Sequence, residues 1–446
     1  MADLHQEGAA PPGPTGVARL RVILGPAGFL PIVLLIALAV TQGFDVAAFG
    51  VLAPEIRHSF HLDNAGIDAV TSLTAAVPVM CAIFLGYLGD RGNRLRLTAA
   101  GAVLWGVAAI LTGLAPVLAV LIAARLVGGV GLLASQTIYP SLISDFYPPE
   151  GLAQIFTVYL IGSTGLGLVG SPLAGWLGSA VGWRPTFVFL AVPTFICAAL
   201  VLRFLREPAR RSMQASASSP AAPAVPGLPG PAPFEGSLRD GFRGVRSIRT
   251  LRRTWVAAFL FGAGIIPLAT LVSDFFHDVY HIGSTSRGAL AAFVGLFGLT
   301  GIILGGLLAQ RLMASNRLDR FPLVSGLAVI EFGLFTFVMA VAPNLWGSVA
   351  AACVLAVGAV GFLPGYVTFV AVISPPNLRS QAYAWSLFFY ALGALCITPI
   401  IGVIADAHGQ RVAMVCLAGL VMVGGSVGLS ARKFVKGDLA RLETAP

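Results

Sequence analysis

The sequence predicts an all-α membrane protein of twelve transmembrane helices, arranged as two pseudo-symmetric six-helix bundles. Three observations predict it. Of 446 residues, 57% are hydrophobic and only 11% charged, too little charge to cover a soluble domain of this length. Mean hydropathy is +0.87, and about a dozen stretches reach the roughly 20 apolar residues that cross a bilayer. The second half of the chain also repeats the first at constant offsets.

The apolar spans are 29–53, 65–89, 97–115, 117–142, 152–178, 184–204, 254–275, 285–310, 321–342, 345–373, 380–404 and 411–430. The first follows Arg19 and Arg21 and imitates a signal peptide ending near Ala37-Leu38-Ala39. The apolar run continues beyond that point, so it is expected to stay as the first membrane helix. The expected organisation is an N-terminal tail 1–28, a first bundle 29–205, a linker 206–253, a second bundle 254–430 and a C-terminal tail 431–446. Ser212 to Pro233 of the linker is rich in Ala, Ser and Pro, the composition of a disordered tether. Leu238, Phe242, Val245 and Ile248 then recur at helical spacing beside Arg239, Arg243, Arg246, Arg249 and Arg253. This reads as a basic interfacial helix on the anionic inner leaflet, or else as an unstructured basic tether.

Charge orients the chain. With both termini in the cytoplasm, 23 of the 28 Lys and Arg lie in cytoplasmic segments; Arg57, Arg184, Arg287 and Arg411 lie outside and Arg125 within a span. The positive-inside rule therefore expects a multi-pass protein of the cell membrane with cytoplasmic tails. It also accounts for the formal charge of +9 without nucleic acid. Five cysteines, Cys81, Cys197, Cys353, Cys396 and Cys416, all sit in apolar stretches without metal-ligand spacing and read as packing residues. No metal or cofactor is expected. The expected partners are membrane lipids, a small-molecule substrate and protons, and the expected state is monomeric.

Segment 60–91 aligns without gaps to 280–311, so Gly86 and Arg91 meet Gly306 and Arg311. Further on, Ala115-Pro116 meets Ala342-Pro343, Tyr139 meets Tyr366, Pro148-Pro149 meets Pro375-Pro376, and Pro172 and Gly175 meet Pro399 and Gly402. Such a duplication implies two parallel halves about an axis along the membrane normal, with a binding site between them.

Gly86-Tyr-Leu-Gly-Asp90-Arg91-Gly-Asn-Arg94 resembles the loop 2–3 signature of the major facilitator superfamily. The resemblance covers nearly the whole chain except linker and tails. It implies a cytoplasmic gate in which Asp90 pairs with arginines, and charge-assisted bonds of this kind can break and reform in a conformational cycle. Gln310 replaces the aspartate in the second copy, so the lock is expected to be one-sided. Arg125 with Gly128, Gly129 and Gly131 resembles the fourth-helix motif, whose arginine is linked to proton coupling or substrate contact. Gly167-Leu-Val-Gly-Ser-Pro172-Leu-Ala-Gly175 partly resembles the fifth-helix motif of drug:proton antiporters.

An ionisable group inside a span is costly and needs a partner. Asp45 lies nine residues before Pro54, and Arg125 nine residues after Pro116. Both therefore sit about 14 Å from the outer surface, and the pair is expected to couple transport to protons; the bland alternative is a static packing pair. Pro267, Pro364 and Pro399 are further expected kinks. Glu331, in mid-span nine, is expected to make a local hydrogen bond to a neighbouring helix. Asp274, His277, Asp278 and His281 read as an ordinary polar helix end.

The expected cavity is lined by helices 1, 4, 5, 7, 10 and 11, with Gln42, Phe44, Tyr139, Tyr366, Trp385 and Tyr390 as its residues. The expected function is proton-coupled alternating access moving a small amphipathic or hydrophobic compound, as drug- or lipid-like efflux. Arg379-Ser-Gln-Ala through Pro399-Ile-Ile-Gly402 resembles the eleventh-helix region of spinster-like lipid transporters. Organic-anion uptake and a non-transporting receptor are the alternatives. No nucleophile–base constellation marks an enzyme.

Overall fold

The structure is a computed structural model describing residues 23–61, 79, 81–167, 169–208, 210, 234–282 and 284–444. The N-terminal tail to residue 22, the outer part of span two, the Ala/Ser/Pro tether, and the side chains of Ser171, Pro267, Asp274 and Arg287 lie outside the described residues.

The first half is built from α1 (Leu30–Val51), α2 (Ala53–Ser59), α3 (Ala82–Arg91), α4 (Arg94–Leu114), α5 (Leu118–Thr137), α6 (Tyr139–Phe146), α7 (Leu152–Gly167), α8 (Gly170–Val181) and α9 (Trp183–Phe204). A linker helix follows, α10 (Leu238–Ser247). The second half has α11 (Arg249–Asp278), α12 (Ser284–Ala314), α13 (Phe321–Val341), α14 (Leu345–Gly361), α15 (Leu363–Ile373), α16 (Arg379–His408), α17 (Gln410–Ser430) and α18 (Arg432–Thr444). Among the described residues, ten helical segments are long and apolar enough to cross a membrane; with α11 and the span ending in α3 they fit the twelve-helix fold. A helix can do this because it satisfies its own backbone groups, to which lipid offers no partner.

Two spans expected as continuous are broken: span four at Ile138 and span ten at Phe362. Pro140 and Pro364 sit at the second positions after these breaks, in the first turn, where the missing N–H costs least. Pro399, by contrast, lies inside an unbroken α16.

The duplication is visible in detail. His61 and His281, matched in sequence, share a positive φ of 53° and 54°. Gly182 and Gly409 do the same at 87° and 84°. Arg184 caps the end of α4 by donating to the carbonyls of Gly113 and Ala115. Arg411 caps α13 through Ala340 and Ala342, the matching positions. The first core gathers Leu35, Leu38, Tyr139, Leu142 and Phe156; the second gathers Phe275, Phe332, Met339, Met414 and Leu417. Residues such as Phe84, Trp176, Leu304 and Trp346 remain exposed on the outside, as lipid contact requires.

Candidate functional site

The loop between α3 and α4, the linker helix and α18 share one face of the bundle, called here the linker face. The halves meet there along two seams. In one, α3 lies on α16 so closely that a Cβ on Gly86 would stand 2.5 Å from Ala384 Cβ. In the other, Gly306 of α12 presses on Thr157 of α7. These contacts occupy matching positions of the repeat.

The first seam carries buried charge. Asp90 is wholly buried and accepts from the backbone N–H groups of Ser380 and Gln381, each at 2.9 Å. These are orphan donors at the N-terminus of α16, where the helix dipole favours an anion. The partner of Asp90 is therefore a helix end in the opposite half, not the arginine side chains that the motif suggests. Arg91 donates to the hydroxyl of Tyr87 instead. Arg94 turns inward: its guanidinium pairs with Asp145 and with Glu207 and also donates to Ser141. Asp145 in turn accepts from Arg379 of the other half at 2.7 Å. Arg94, Asp145 and Arg379 are fully buried. Sequence reading missed Asp145, Arg379 and Glu207. Their only signal is that acids and bases sit together at helix ends.

The linker straps this seam. Phe234 N–H donates to the Asp90 carbonyl, and Tyr87 hydroxyl donates to the Gly236 carbonyl. Ser237 and Asp240 form a reciprocal cap for α10, and the Ser237 hydroxyl and amide hold the Asp240 carboxyl below its ordinary value. Gly241 then abuts the Gln381 side chain. Phe242 stacks on Trp255 and lies 4.4 Å from the Trp385 ring centre. So α10 forms where its periodicity predicts, but its apolar side is spent on protein rather than on lipid. A row of this kind cannot by itself reveal which apolar surface it meets.

Beyond the seam lies a cavity of about 490 Å³. It is walled by α5 and α6 (Ser135, Gln136, Pro140), α7 (Phe156, Tyr159, Ser163), α11 (Thr254, Ala258, Phe261), α14 and α15 (Val360, Leu363, Tyr366) and α16 (Tyr383, Ser386, Tyr390). It also reaches Gly326 and Val329 of α13 and Gly424, Gly425 and Gly428 of α17. Those glycines pack against neighbouring helices, where an added Cβ would meet Leu429, Leu260, Ile330 or Ala257, and through them helices nine and twelve reach the cavity. Tyr366 and Tyr390 line this cavity. Trp385 is turned into the cluster under the linker helix. Tyr139 is fully buried in the first core, and Phe44 packs against Gly170. Gln42 is buried with its amide unpartnered. Helix one does not line this cavity.

Asp45 and Arg125 do pair, Nη1 to Oδ2 at 2.7 Å. They sit inside the first bundle, where the guanidinium lies over Phe49 at 4.5 Å, with Trp105 and Phe187 within 6 Å. Asp45 Oδ1 has no hydrogen-bond partner. Glu331 makes no local hydrogen bond either; both its oxygens are unpartnered, and its carboxyl fills the notch at Gly358 of α14. Sequence position cannot say which wall of a helix an acid will face.

A sequence profile of the Major Facilitator Superfamily matches residues 35–396. The chain belongs to the major facilitator superfamily. Among its relatives is the 4-hydroxybenzoate transporter PcaK of Pseudomonas aeruginosa, 26% identical over 188 residues, 42% of each chain; the match spans well under two thirds of that relative's length. A gentisate transporter of Corynebacterium glutamicum is 22% identical over 81% of this chain and 78% of its own. In fold, the chain is similar to a bacterial homolog of the lysosomal transporter Spinster in an inward-facing, unoccupied conformation. That likeness has a TM-score of 0.60 and 18% identity, and covers 93% of this chain and 98% of that one. Superfamily membership accounts for the duplicated bundles and the seams between them.

Proposed function

We propose that the protein is a secondary active transporter of the cell membrane, monomeric and with both tails cytoplasmic. It works by alternating access, with the linker face as the cytoplasmic gate. The observation that carries this reading is a cavity between two halves that are joined by breakable polar contacts on one side. Asp90 on the α16 N-terminus and Asp145 on Arg379 tie opposite halves together, and separating them would open the cavity toward the linker. Proton coupling is assigned to Asp45 and Arg125. Protonating the acid releases the arginine and changes the relative free energy of the two states.

The cavity favours a small amphipathic or hydrophobic organic compound, exported as drug- or lipid-like cargo. Its lining is aromatic and hydroxylic. Uptake of an aromatic acid is the second reading, supported by relatives whose names specify 4-hydroxybenzoate and gentisate. The test is purified protein in liposomes under an imposed proton gradient, with a panel of labelled amphiphiles and aromatic acids. Substrate-dependent proton movement that disappears in Asp45→Asn supports the mechanism. Wild-type rates in both Asp45→Asn and Arg125→Ala exclude it.

A further inference from the structure

Glu331 stands ten residues from either end of α13, about 15 Å along the helix axis from each. Leu327, Leu334 and Val338 share its side of the helix and are exposed on the outside of the bundle. So is Val354, one turn before Gly358 on α14. The acid therefore sits at the boundary between protein and lipid, at mid-membrane depth. Its side chain is half-buried and folds sideways into the notch at Gly358, where both carboxyl oxygens are covered and lack a partner.

Few titratable groups face it from the elements packed on α13. Cys353 belongs to α14 and Tyr366 to α15. From α17 come Cys416 and, at the outer end, Arg411. The Arg411 guanidinium is spent on the carbonyls of Ala340 and Ala342, nine residues and more beyond Glu331. At the opposite end of α13 lie Asp319, Arg320 and the charged residues of α18, with Arg432 paired to Asp319. An ionised carboxylate in this setting has neither a cation nor a donor, a costly state in the middle of a bilayer. The protonated acid has an O–H to give. An acceptor borders the same notch: the Ala328 carbonyl oxygen lies 2.9 Å from where a Cβ on Gly358 would stand.

We infer that Glu331 holds a proton at neutral pH and is a proton-binding site on the lipid-facing side of the second bundle, separate from Asp45 and Arg125 and open to lipid-dissolved carbodiimides. Gly358 lies four residues before the break at Phe362, and Ala359, Val360 and Phe362 belong to the cavity wall. Loss of the proton expels the carboxyl from its notch, so the packing of α13 on α14 behind that wall depends on this proton.

Infrared difference spectra of the full chain in lipid nanodiscs, wild type minus Glu331→Gln, test the protonation. The carbonyl stretch of a carboxylic acid should be present at neutral pH and give way to carboxylate bands in alkali. Carboxylate bands at neutral pH overturn the inference. Dicyclohexylcarbodiimide tests the lipid side. The acid's proton passes to one nitrogen of the reagent and its oxygen bonds to the central carbon. The acyl group then moves from that oxygen to the other nitrogen, giving an N-acylurea that keeps every atom of both partners. Peptide mass spectrometry should find this adduct at Glu331 about tenfold or more above Asp45, since a carboxylate held by Arg125 resists protonation. A water-soluble cationic carbodiimide should instead favour exposed acids such as Glu235 and Asp240. No adduct at Glu331, or equal labelling there by both reagents, overturns the lipid-facing assignment. Thermal stability tests the packing. Wild type should lose stability relative to Glu331→Gln as pH rises, because removing the proton costs the folded chain more than the unfolded one. Parallel pH profiles for the two chains overturn the link between this proton and the α13–α14 contact.

Discussion

Replacing Asp90 by Asn should loosen the linker-face gate. The carboxylate accepts two backbone N–H bonds from α16, both at 2.9 Å, in a wholly buried position. An amide of the same shape accepts one of them and turns an NH₂ toward the other donor. A hydrogen bond to a charged group is worth about 1.5–3 kcal/mol, and a charge at a helix end typically adds about 0.3–1 kcal/mol. Relief of carboxylate desolvation offsets part of the loss. A net change of about 2 kcal/mol in favour of the open gate is expected, roughly a thirtyfold change in the ratio of states. Nitroxides at exposed Arg96→Cys and Arg317→Cys, in opposite halves, report it in a chain lacking its five native cysteines. Pulsed dipolar spectroscopy should show a longer-distance population grow in Asp90→Asn. Identical distance distributions with and without the substitution would refute the assignment of Asp90 as a gate contact.

Further outcomes follow from the same geometry. Gly306→Val places side-chain atoms where Thr157 already sits, so the same spin labels should show a wider linker face; an unchanged closed distance would mean that this seam carries no constraint. Arg125→Ala leaves the Asp45 carboxylate buried and alone and should lower stability by about 3–5 kcal/mol, with Asp45→Asn added in the same chain restoring part of it. Equal melting temperatures for the single and double variants would show that the two side chains are not coupled. Phe242→Ala removes the ring stacked on Trp255 and tilted against Trp385, costing about 2 kcal/mol, less than the roughly 3–5 of a fully buried ring. Hydrogen exchange in α10 should speed up, and unchanged protection there would count against its docking.

Spans and duplication were legible because lipid forces long apolar helices and the repeat keeps its glycines and prolines in register. The partnership of Asp45 and Arg125 was legible from equal depth together with the fold that the resemblance implies, which sets helices one and four side by side. What escaped was everything decided by azimuth. Trp385 and Tyr390 are five residues apart on one helix, yet one faces the linker cluster and the other the cavity. Asp145 and Arg379, separated by 234 positions, look in sequence like unrelated helix ends. Only folding of two halves onto each other reveals them as one contact. The linker helix was legible as a helix, but its destination depended on an aromatic surface that α11 and α16 assemble jointly.

The doubled glycine contact has a mechanical consequence. Gly86 and Gly306 give the gate two edges of similar steric closeness, but among the described residues the buried ions and helix-end bonds lie at the edge between α3 and α16. Described residues along the other edge meet through van der Waals contact. A door built this way carries its bolt on one side and its pivot on the other. Motion begins where the bolt is drawn, and the strap lies directly across that bolt.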